Sequence, residues 1–590
     1  MGELCGALVR SARGKLHPTG ELSSNSRWPD AAKPRRHRCQ RATIRLGRRA
    51  GARQLNTKLP KAAKKGSLQM SDFIKRRVAE WQFTTTRTYE NPFADVAVDA
   101  LFTAPSGASR SMPMFYDGDG IFKLRFNPGE AGTYQVQLSS RPANPDFSKS
   151  FSFTVADSDV RGFLLATPGD AWGFRFENGE PVFISGDTTY DLFAMEYCGG
   201  DAAGFLRRRK SQGFNLFRTR LTTSGFHLPD AHFEWQTKSC WPWGGSTTLP
   251  RFDLFNLDYF RSVDQTILVG EELGIGFEMI MEGWGNEFPF NSRQWFTPEW
   301  EALWMRYLIA RYDAYNCVWI WTPLNEYEYY PNGDWHWTPT ADRWALRIGR
   351  WIKDTAPHGH VLAMHNGPRL PPFAQRFKAD PEAVDVVMFQ EWGTRDKELG
   401  WLAAGIEDSI RLAFEGWTRS VVFAEWGYER NPEYKLKLPS HEFCDRSHTR
   451  RSAWRGVFCG MGIVAGFENS WGPWMDLEND LPGVADLEVL NTFITRTVPF
   501  HSFRPAPEIV DGSFPDGHRP LALKAGDGKQ AMIYFPVGGT AKIGFAGTGE
   551  WFDPRTGKAI DAKDDNGRYT SPATEDADGH PHDFVLVLTA

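Results

Sequence analysis

Short apolar runs alternate with longer amphipathic segments between Pro181 and about Phe500. The short runs show no polar alternation, as expected of strands that are buried on both faces of a parallel sheet. Eight runs are predicted as strands, at 182–185, 214–221, 276–281, 318–322, 360–365, 384–390, 420–424 and 463–468. Helices are predicted at about 202–212, 258–273, 298–314, 339–355, 399–417, 447–459 and 487–496. Eight alternations favour a (β/α)8 TIM barrel over a doubly wound sheet.

The pattern differs on either side of this segment. From Val78 to about Val155, and again beyond Phe500, short alternating runs are separated by Gly, Pro and Asp. Such spacing is typical of small β-sandwiches. The predicted fold is therefore α/β, a TIM barrel at 165–505 flanked by an N-terminal β-sandwich at 78–158 and a C-terminal β-sandwich at 506–590, after a leader at 1–70.

Charge is distributed unevenly along the chain. Residues 1–70 carry 17 Lys or Arg against 3 Asp or Glu, which leaves 51 basic and 69 acidic residues, about −18, on the remainder. The basic leader lacks apolar periodicity and is predicted to be disordered, whether as a targeting or RNA-binding tail or as translated upstream sequence before Met70. The acidic remainder argues against nucleic acid as the ligand of the barrel.

Targeting signals and cysteines point to the compartment. We find no secretory apolar stretch after the N-terminal charges or after Met70, and no run long enough to span a membrane. The seven cysteines are odd in number and form no Cys-x-x-Cys. This usage suits reduced thiols, so we expect a cytoplasmic protein that acts without a membrane.

Two glutamates are the strongest candidates for chemistry. Glu326 ends the run Trp-Thr-Pro-Leu-Asn-Glu, and Glu425 ends the run Val-Val-Phe-Ala-Glu. Strand ends of a TIM barrel carry catalytic groups to one rim, and glycosidic cleavage needs one carboxylic acid and one carboxylate across a pocket. Asn325 precedes Glu326 and is suited to bind the 2-hydroxyl of a sugar. Either glutamate alone would fit a structural ion pair, but the two together predict a glycoside hydrolase.

Other predicted strand ends supply a substrate-binding rim. The predicted substrate-binding residues are Asp187, Arg220, Glu282, Asn325, His365, Gln390, Trp392 and Trp471. Arg218, Asn366 and Glu391 are expected at the same opening, and Trp284 and Trp474 are alternative sugar platforms. An inward arginine needs a carboxylate, so Arg220 is expected either to hold Glu425 ionised or to bridge another acid.

Competing chemistries have weak support in the sequence. His365 has no His or Cys partner at ligand spacing, and His-Glu-x-x-His and Gly-x-Ser-x-Gly are missing. Glycine-rich phosphate loops are missing as well. We therefore expect neither a metal nor another cofactor.

Several motifs resemble those of a known family. The segments Phe-Ile-Ser-Gly-Asp-Thr-Thr at 183–189, Gly-Phe-Asn at 213–215, Asn-Glu at 325–326 and Ala-Glu-Trp-Gly at 424–427 resemble the apiosidase-like barrel hydrolases and, more broadly, clan A of the glycoside hydrolases. The resemblance implies that Glu326 is the acid/base and Glu425 the nucleophile, with retention of anomeric configuration. Such hydrolases are often exported, so the missing signal suggests action on imported oligosaccharides.

The flanking domains carry resemblances of their own. The segments Glu-Trp-Gln at 80–82, Asn-Pro-Phe at 91–93 and Phe-Tyr-Asp-Gly at 115–118 resemble the immunoglobulin-like domain often found before such barrels. The segment Trp-Phe-Asp-Pro-Arg-Thr-Gly at 551–557 is similar to a domain family named for collagen binding, although the name is not evidence of that function.

The sequence thus predicts a retaining glycoside hydrolase that acts on an oligosaccharide or polysaccharide. The alternative is a non-catalytic carbohydrate-binding protein on a barrel scaffold, and retention of Glu326, Glu425 and Asn325 argues against it. Loop geometry decides the sugar, the linkage and endo or exo action.

Overall fold

The structure is a computed structural model that describes residues 73–167, 173–222, 240–334, 337–367, 371–395, 403–431, 444–471, 478–497, 500–577 and 579–590. A closed barrel of eight parallel strands lies between two strand-rich regions. This arrangement confirms the predicted fold class. Within the described residues, the helices all fall short of the length and apolar character that crossing a membrane requires.

The N-terminal region contains two sheets that face each other, antiparallel except for the parallel pair of β1 and β8. Its strands are β1 (Phe73–Ile74), β2 (Ala79–Thr84), β3 (Ala97–Thr103), β4 (Ser109–Pro113), β5 (Phe115–Tyr116), β6 (Ile121–Phe126), β7 (Gly132–Arg141) and β8 (Ser150–Ala156). One sheet has the order β1-β8-β7-β3-β4 and the other β2-β6-β5. Inward residues alternate with outward ones, and Trp81, Phe102 and Phe126 from both sheets meet in one core. This is a β-sandwich.

The barrel segment begins with a hairpin, β9 (Leu164–Ala166) and β10 (Phe174–Phe176). Its further strands are β11 (Ser185–Thr188), β12 (Leu216–Arg220), β13 (Trp243–Gly245), β14 (Pro250–Phe255), β15 (Gly276–Ile280), β16 (Val318–Thr322), β17 (Val361–His365), β18 (Val386–Gln390), β19 (Thr394–Arg395), β20 (Ala403–Ala404), β21 (Ser420–Glu425) and β22 (Gly462–Gly466). The closed order is β11-β12-β15-β16-β17-β18-β21-β22.

Helices surround the barrel strands. They are α1 (Leu192–Tyr197), α2 (Ala202–Ser211), α3 (Leu257–Leu273), α4 (Pro298–Tyr312), α5 (Pro339–Thr355), α6 (Phe373–Arg376), α7 (Ile406–Ala413), α8 (Arg446–Phe458) and α9 (Gly483–Thr497). The side chain of Asn256 accepts from the backbone of α3, and Asp445 does the same for α8, which fixes where both helices start. Proline at the first helical position starts α4 and α5.

Side chains of the barrel strands separate into two layers. Leu216, Ile320, Ala363 and Val422 point into the barrel and share a core with the β9–β10 hairpin. The residues that alternate with these along each strand point outward against the helices. They belong to a larger core that includes Phe217, Phe277 and Phe423. The hairpin therefore packs against the interior of the barrel, and alternation along each strand decides which residues can reach the inside.

The C-terminal region is a second pair of sheets. Its strands are β23 (Phe503–Pro505), β24 (Val510–Asp511), β25 (Leu521–Ala525), β26 (Gln530–Phe535), β27 (Thr540–Ile543), β28 (Thr548–Phe552), β29 (Ala559–Asp561), β30 (Arg568–Thr570) and β31 (Phe584–Thr589). The six-stranded sheet β23-β25-β26-β31-β28-β29 and the three-stranded sheet β24-β27-β30 share one core.

Buried arginine clusters join both flanking regions to the barrel. Arg125 on β6 and Arg311 on α4 each contact Asp264 on α3 at 2.9 Å. On the other side, Arg450 on α8 contacts Asp583, just before β31, at 2.8 Å. The guanidinium groups hold the pKa of Asp264 and of Asp583 at about 2, although burial works in the opposite direction. Because each charge is paired, these junctions hold the regions together.

Two predicted elements of the barrel begin later in the structure than expected. The first barrel strand begins at Ser185, three residues later than expected, so Asp187 lies within β11 and not after it. The predicted helix at 399–417 is shorter, because Gly405 adopts a left-handed conformation (φ 78°) and α7 begins only at Ile406. Residues 399–402 of that prediction lie outside the described residues.

Candidate active site

The carboxyl ends of the parallel strands meet at one mouth of the barrel, and two glutamates lie there. Glu425 is the last residue of β21, and Glu326 follows the end of β16 by four residues. Gln390, the last residue of β18, is the strand partner of Glu425. The strand ends thus bring Glu326, Glu425 and Gln390 to the same opening, as the sequence predicts.

Glu425 is surrounded by hydrogen-bond donors. Its carboxylate accepts from Nε2 of Gln390 at 2.6 Å, from a guanidinium nitrogen of Arg218 at 3.0 Å and from the hydroxyl of Tyr190 at 3.2 Å. Only 5% of the residue is exposed. A buried carboxylate that accepts from three donors, one of them a guanidinium, is held in a fixed orientation.

Arg218 connects several groups of the site. Its guanidinium lies 3.5 Å from Glu278 on β15, donates to the side-chain oxygen of Asn325, and lies over the ring of Tyr190. It is fully buried. Arg218 and Arg220 are two residues apart on β12 and therefore share a face, but Arg218, the deeper one, reaches Glu425.

Glu326 has a different environment. The indole N–H of Trp284 donates to its carboxyl at 2.6 Å, and its own backbone N–H donates to Nδ1 of His365 at 3.2 Å. Its backbone is left-handed, with φ 49°, a conformation that costs about 1 kcal/mol or more for a residue other than glycine. The contact with His365 helps to hold this turn, which aims the carboxyl into the mouth.

Burial raises the pKa of Glu326 to about 8, and the negative charge of Glu425 adds to the rise. The hydrogen bonds from Gln390 and Trp284 oppose it. Glu326 therefore keeps its proton at neutral pH, while Glu425 is paired with the guanidinium of Arg218. Two neighbouring carboxyl groups in such different environments can act as acid and nucleophile.

His365 is neutral in this site. Burial lowers its pKa well below the usual value, and the nearby Arg218 charge lowers it further. Since Nδ1 accepts from Glu326, the neutral ring carries its proton on Nε2, which lies 3.7 Å from Glu425. The ring thus lies between the two glutamates without adding charge.

Comparison with known proteins identifies the barrel. A family model described as the apiosidase-like catalytic domain matches residues 173–486, more than half of the chain and all eight barrel strands. The chain belongs to the apiosidase-like family. Its barrel is a glycoside hydrolase domain. A second model, a domain of unknown function called DUF5060, matches residues 75–141 in the N-terminal sandwich.

Solved structures share the fold of this apiosidase-like protein. A protein of Bacteroides vulgatus ATCC 8482, provisionally named a glycoside hydrolase, is 17% identical with a TM-score of 0.64, over 88% of this chain and 100% of that one. A family 5 glycoside hydrolase of the same organism is also 17% identical, with a TM-score of 0.52 over 73% and 94% of the two chains. Comparison with curated protein sequences gave no match.

An aromatic wall completes the apiosidase-like site on the side of Glu425. Tyr190 and Tyr428 are joined by their hydroxyls at 3.1 Å, and the ring of Trp471 stacks on Tyr428 with centroids 4.7 Å apart. Trp392 meets Tyr428 edge-on at 5.8 Å. Trp392 and Trp471 therefore belong to the mouth, as predicted, and offer apolar surface beside the nucleophile candidate.

Three predicted rim residues have other partners in the structure. Asp187 points outward, is fully buried, and contacts Arg209 of α2 at 2.7 Å and Ser470 at 3.1 Å. This placement corrects the prediction that it lines the opening, and the reason is the late start of β11. Ion pairing with Arg209 opposes the effect of burial, which raises the pKa of Asp187.

Arg220 has the second of its two predicted roles, whereas Glu282 has a partner that the sequence did not predict. Arg220 contacts Glu287 at 2.9 Å and Asp191 at 3.6 Å, so it bridges other acids and does not hold Glu425. Glu282 lies beyond β15, fully buried, against Arg293 at 2.7 Å. Burial raises the pKa of Glu282 to about 8. Both residues support loops next to the site.

Sequence reasoning did not single out Tyr190 and Tyr428. Tyr190 lies two residues beyond β11, and Tyr428 three residues beyond Glu425. Their position just past strand ends is a usable signal, but tyrosines are common in cores and the sequence offers nothing more. Trp474, a candidate platform, lies outside the described residues. Within the described ranges, no cluster of His, Cys, Asp and Glu is arranged to hold a metal ion.

Proposed function

We propose that this apiosidase-like protein is a retaining glycoside hydrolase that works by double displacement. The observation that carries the proposal is the contrast between two adjacent glutamates, one with its pKa raised to about 8 and the other bound by a buried arginine. Retaining enzymes need a protonated acid beside an ionised nucleophile.

In the first step, a carboxylate oxygen of Glu425 attacks the anomeric carbon while the glycosidic bond breaks. Glu326 gives its proton to the leaving oxygen, so the leaving group departs as an alcohol. The nucleophile is aligned by Gln390 at 2.6 Å and Tyr190 at 3.2 Å, which leave its position fixed during attack.

In the second step, ionised Glu326 takes a proton from water. The resulting oxygen attacks the anomeric carbon, the bond to Glu425 breaks, and the sugar leaves with its original configuration. The pKa of Glu326 depends on the negative charge of Glu425. That charge disappears when Glu425 forms the bond to the sugar, which lowers the pKa of Glu326 and favours loss of its proton. The charge returns when the bond breaks in the second step, which favours the protonated form of Glu326 again.

The position of Gln390 supports retention over inversion. One amide donates to Glu425 and also affects the pKa of Glu326 through a hydrogen bond, so a single side chain spans both carboxyl groups. Retaining enzymes hold their carboxyl groups about 5 to 5.5 Å apart, whereas inverting enzymes leave room for water at about 6.5 to 9.5 Å. A separation in the shorter range is what we expect from a crystal structure.

The two flanking sandwiches have no assigned role in this mechanism. We propose that the N-terminal one is an immunoglobulin-like domain and that the C-terminal one belongs to the domain family named for collagen binding, each through the motifs described above. We further propose that the protein acts inside the cell on an oligosaccharide or polysaccharide.

The test is a screen of aryl glycosides and oligosaccharides, beginning with apiosides because of the family's name. We expect turnover of at least one sugar by the parent and a loss of several orders of magnitude in Glu425→Gln, which keeps the shape of the side chain. A surface variant, Glu415→Gln, serves as the control. Binding of a sugar without turnover by the parent would instead favour the carbohydrate-binding alternative.

A further inference from the structure

Two cysteines that are far apart in sequence lie in contact beside the mouth of the barrel. Cys198 and Cys240 are 42 residues apart, and their sulfur atoms are separated by 3.1 Å. Cys198 directly follows α1 and is half-buried, whereas Cys240 is fully buried and precedes β13. We propose that Cys198 and Cys240 are a redox pair that closes to a disulfide in the folded protein.

The geometry requires little movement. A disulfide bond is about 2.05 Å long, so the two sulfur atoms have to approach each other by about 1 Å. The same sulfur of Cys240 lies 3.9 Å from the backbone oxygen of Ala194 on α1, so it already faces the end of that helix. A small shift of the half-buried Cys198 is sufficient, because it lies at the end of α1.

The reaction balances with a small disulfide such as oxidised glutathione. The thiolate of Cys198, the more accessible of the two, attacks one glutathione sulfur and releases one glutathione thiolate. The thiolate of Cys240 then attacks the mixed disulfide at Cys198 and releases the second. Two protein thiols are oxidised, one glutathione disulfide is reduced, and the two protons go to the leaving thiolates or to buffer.

The bond would join two segments that follow neighbouring barrel strands, β11 and β12. Tyr190 and Asp191 precede α1 closely, and Cys240 lies in the connection that begins after Arg220. Tyr259 of α3 contacts both segments: it packs against Tyr197 with ring centroids 5.4 Å apart and donates to the backbone oxygen of Leu221 at 3.4 Å. A covalent link here fixes Cys240 relative to α1, which begins two residues after Tyr190, the hydrogen-bond donor to Glu425.

The state of the two cysteines depends on the redox conditions around the protein. In a reducing cytoplasm the pair remains a dithiol, while oxidation closes it. Closure of the pair does not depend on the proposed hydrolase activity, because the thiols react in the absence of any sugar.

The experiment uses the purified full-length chain, incubated with oxidised or reduced glutathione, denatured, alkylated and digested for mass spectrometry. We expect oxidised samples to contain one cross-linked peptide pair, carrying Cys198 and Cys240, that dithiothreitol separates. Cys198→Ser should abolish the cross-link, while Cys459→Ser, at another half-buried cysteine, should leave it intact.

A stability measurement provides the second readout. Closing a loop of this length constrains the unfolded chain, so the oxidised parent should melt a few degrees above the reduced one, and Cys198→Ser should show no such difference. An unchanged pattern of alkylation after oxidation would overturn the proposal, as would a cross-link from Cys198 to any other cysteine.

Discussion

Replacing Glu326 by glutamine should stabilise the protein at neutral pH. The folded chain raises the pKa of Glu326 from 4.5 to about 8, so the native state binds this proton more tightly than the unfolded state does. The contribution of protonated Glu326 to the free energy of unfolding is fully present below about pH 4.5 and is lost as the pH rises through about 8. At pH 7 the native protein therefore carries a cost that glutamine, which does not ionise, avoids.

The size of the effect follows from the two pKa values. Linkage gives a cost of about 3 kcal/mol at pH 7 and about 1 kcal/mol at pH 5. The difference between the two pH values is about 2 kcal/mol. Effects of the substitution that do not depend on pH, such as altered packing, drop out of this difference. The indole of Trp284 still finds an acceptor in the glutamine oxygen, so the hydrogen bond of 2.6 Å is retained.

The assay compares melting temperatures of the parent and Glu326→Gln between pH 5 and pH 7. We expect the variant's advantage to grow by a few degrees over that range, given the size of the barrel. Glu415→Gln, at an exposed position, is the control and should show no growth. An advantage for Glu326→Gln that is the same at both pH values would refute the raised pKa and, with it, the acid role of Glu326.

Four further outcomes follow from the site. The kcat/KM of the parent should fall as the pH rises through about 8, because Glu326 loses the proton that the leaving group needs; a flat profile up to pH 9 would count against it. Glu326→Ala should harm substrates with poor leaving groups far more than activated aryl glycosides, and equal losses on both would contradict the acid role. Arg218→Met should destabilise the fold by about 3 to 5 kcal/mol and lower kcat, because it leaves Glu425 and Glu278 without their cation. Arg220→Met should lower kcat much less, since Arg220 bridges Glu287 and Asp191; the reverse order would contradict the assignment of Arg218.

The barrel and its two glutamates were accessible from the sequence because they depend on local patterns. Strands buried on both faces read as continuous apolar runs, and Glu326 and Glu425 each end one. His365, Gln390 and Asn325 followed from the same reasoning, since each lies at or just beyond a strand end. Strand ends of a parallel barrel converge whatever the loops do.

The sequence could not show which of Arg218 and Arg220 contacts Glu425. Both lie on one face of β12 and differ only in depth, and depth depends on the register of the whole barrel. Asp187 was misplaced for a related reason, because a shift of the first strand moved it from the rim to the outer face. The left-handed turn at Glu326 is held by a tertiary contact with His365, which no local pattern encodes.

In the proposed mechanism, Glu425 becomes covalently bound to the sugar. The most direct measurement is mass spectrometry of the protein after incubation with activated 2-deoxy-2-fluoro glycosides of the sugar that the screen identifies. These trap a glycosyl-enzyme, because fluorine slows its hydrolysis more than its formation. We predict a mass increase of one fluorosugar, located by digestion on the peptide that contains Glu425. An adduct on another residue, or turnover without any adduct and with inverted anomeric configuration by NMR, would contradict the account.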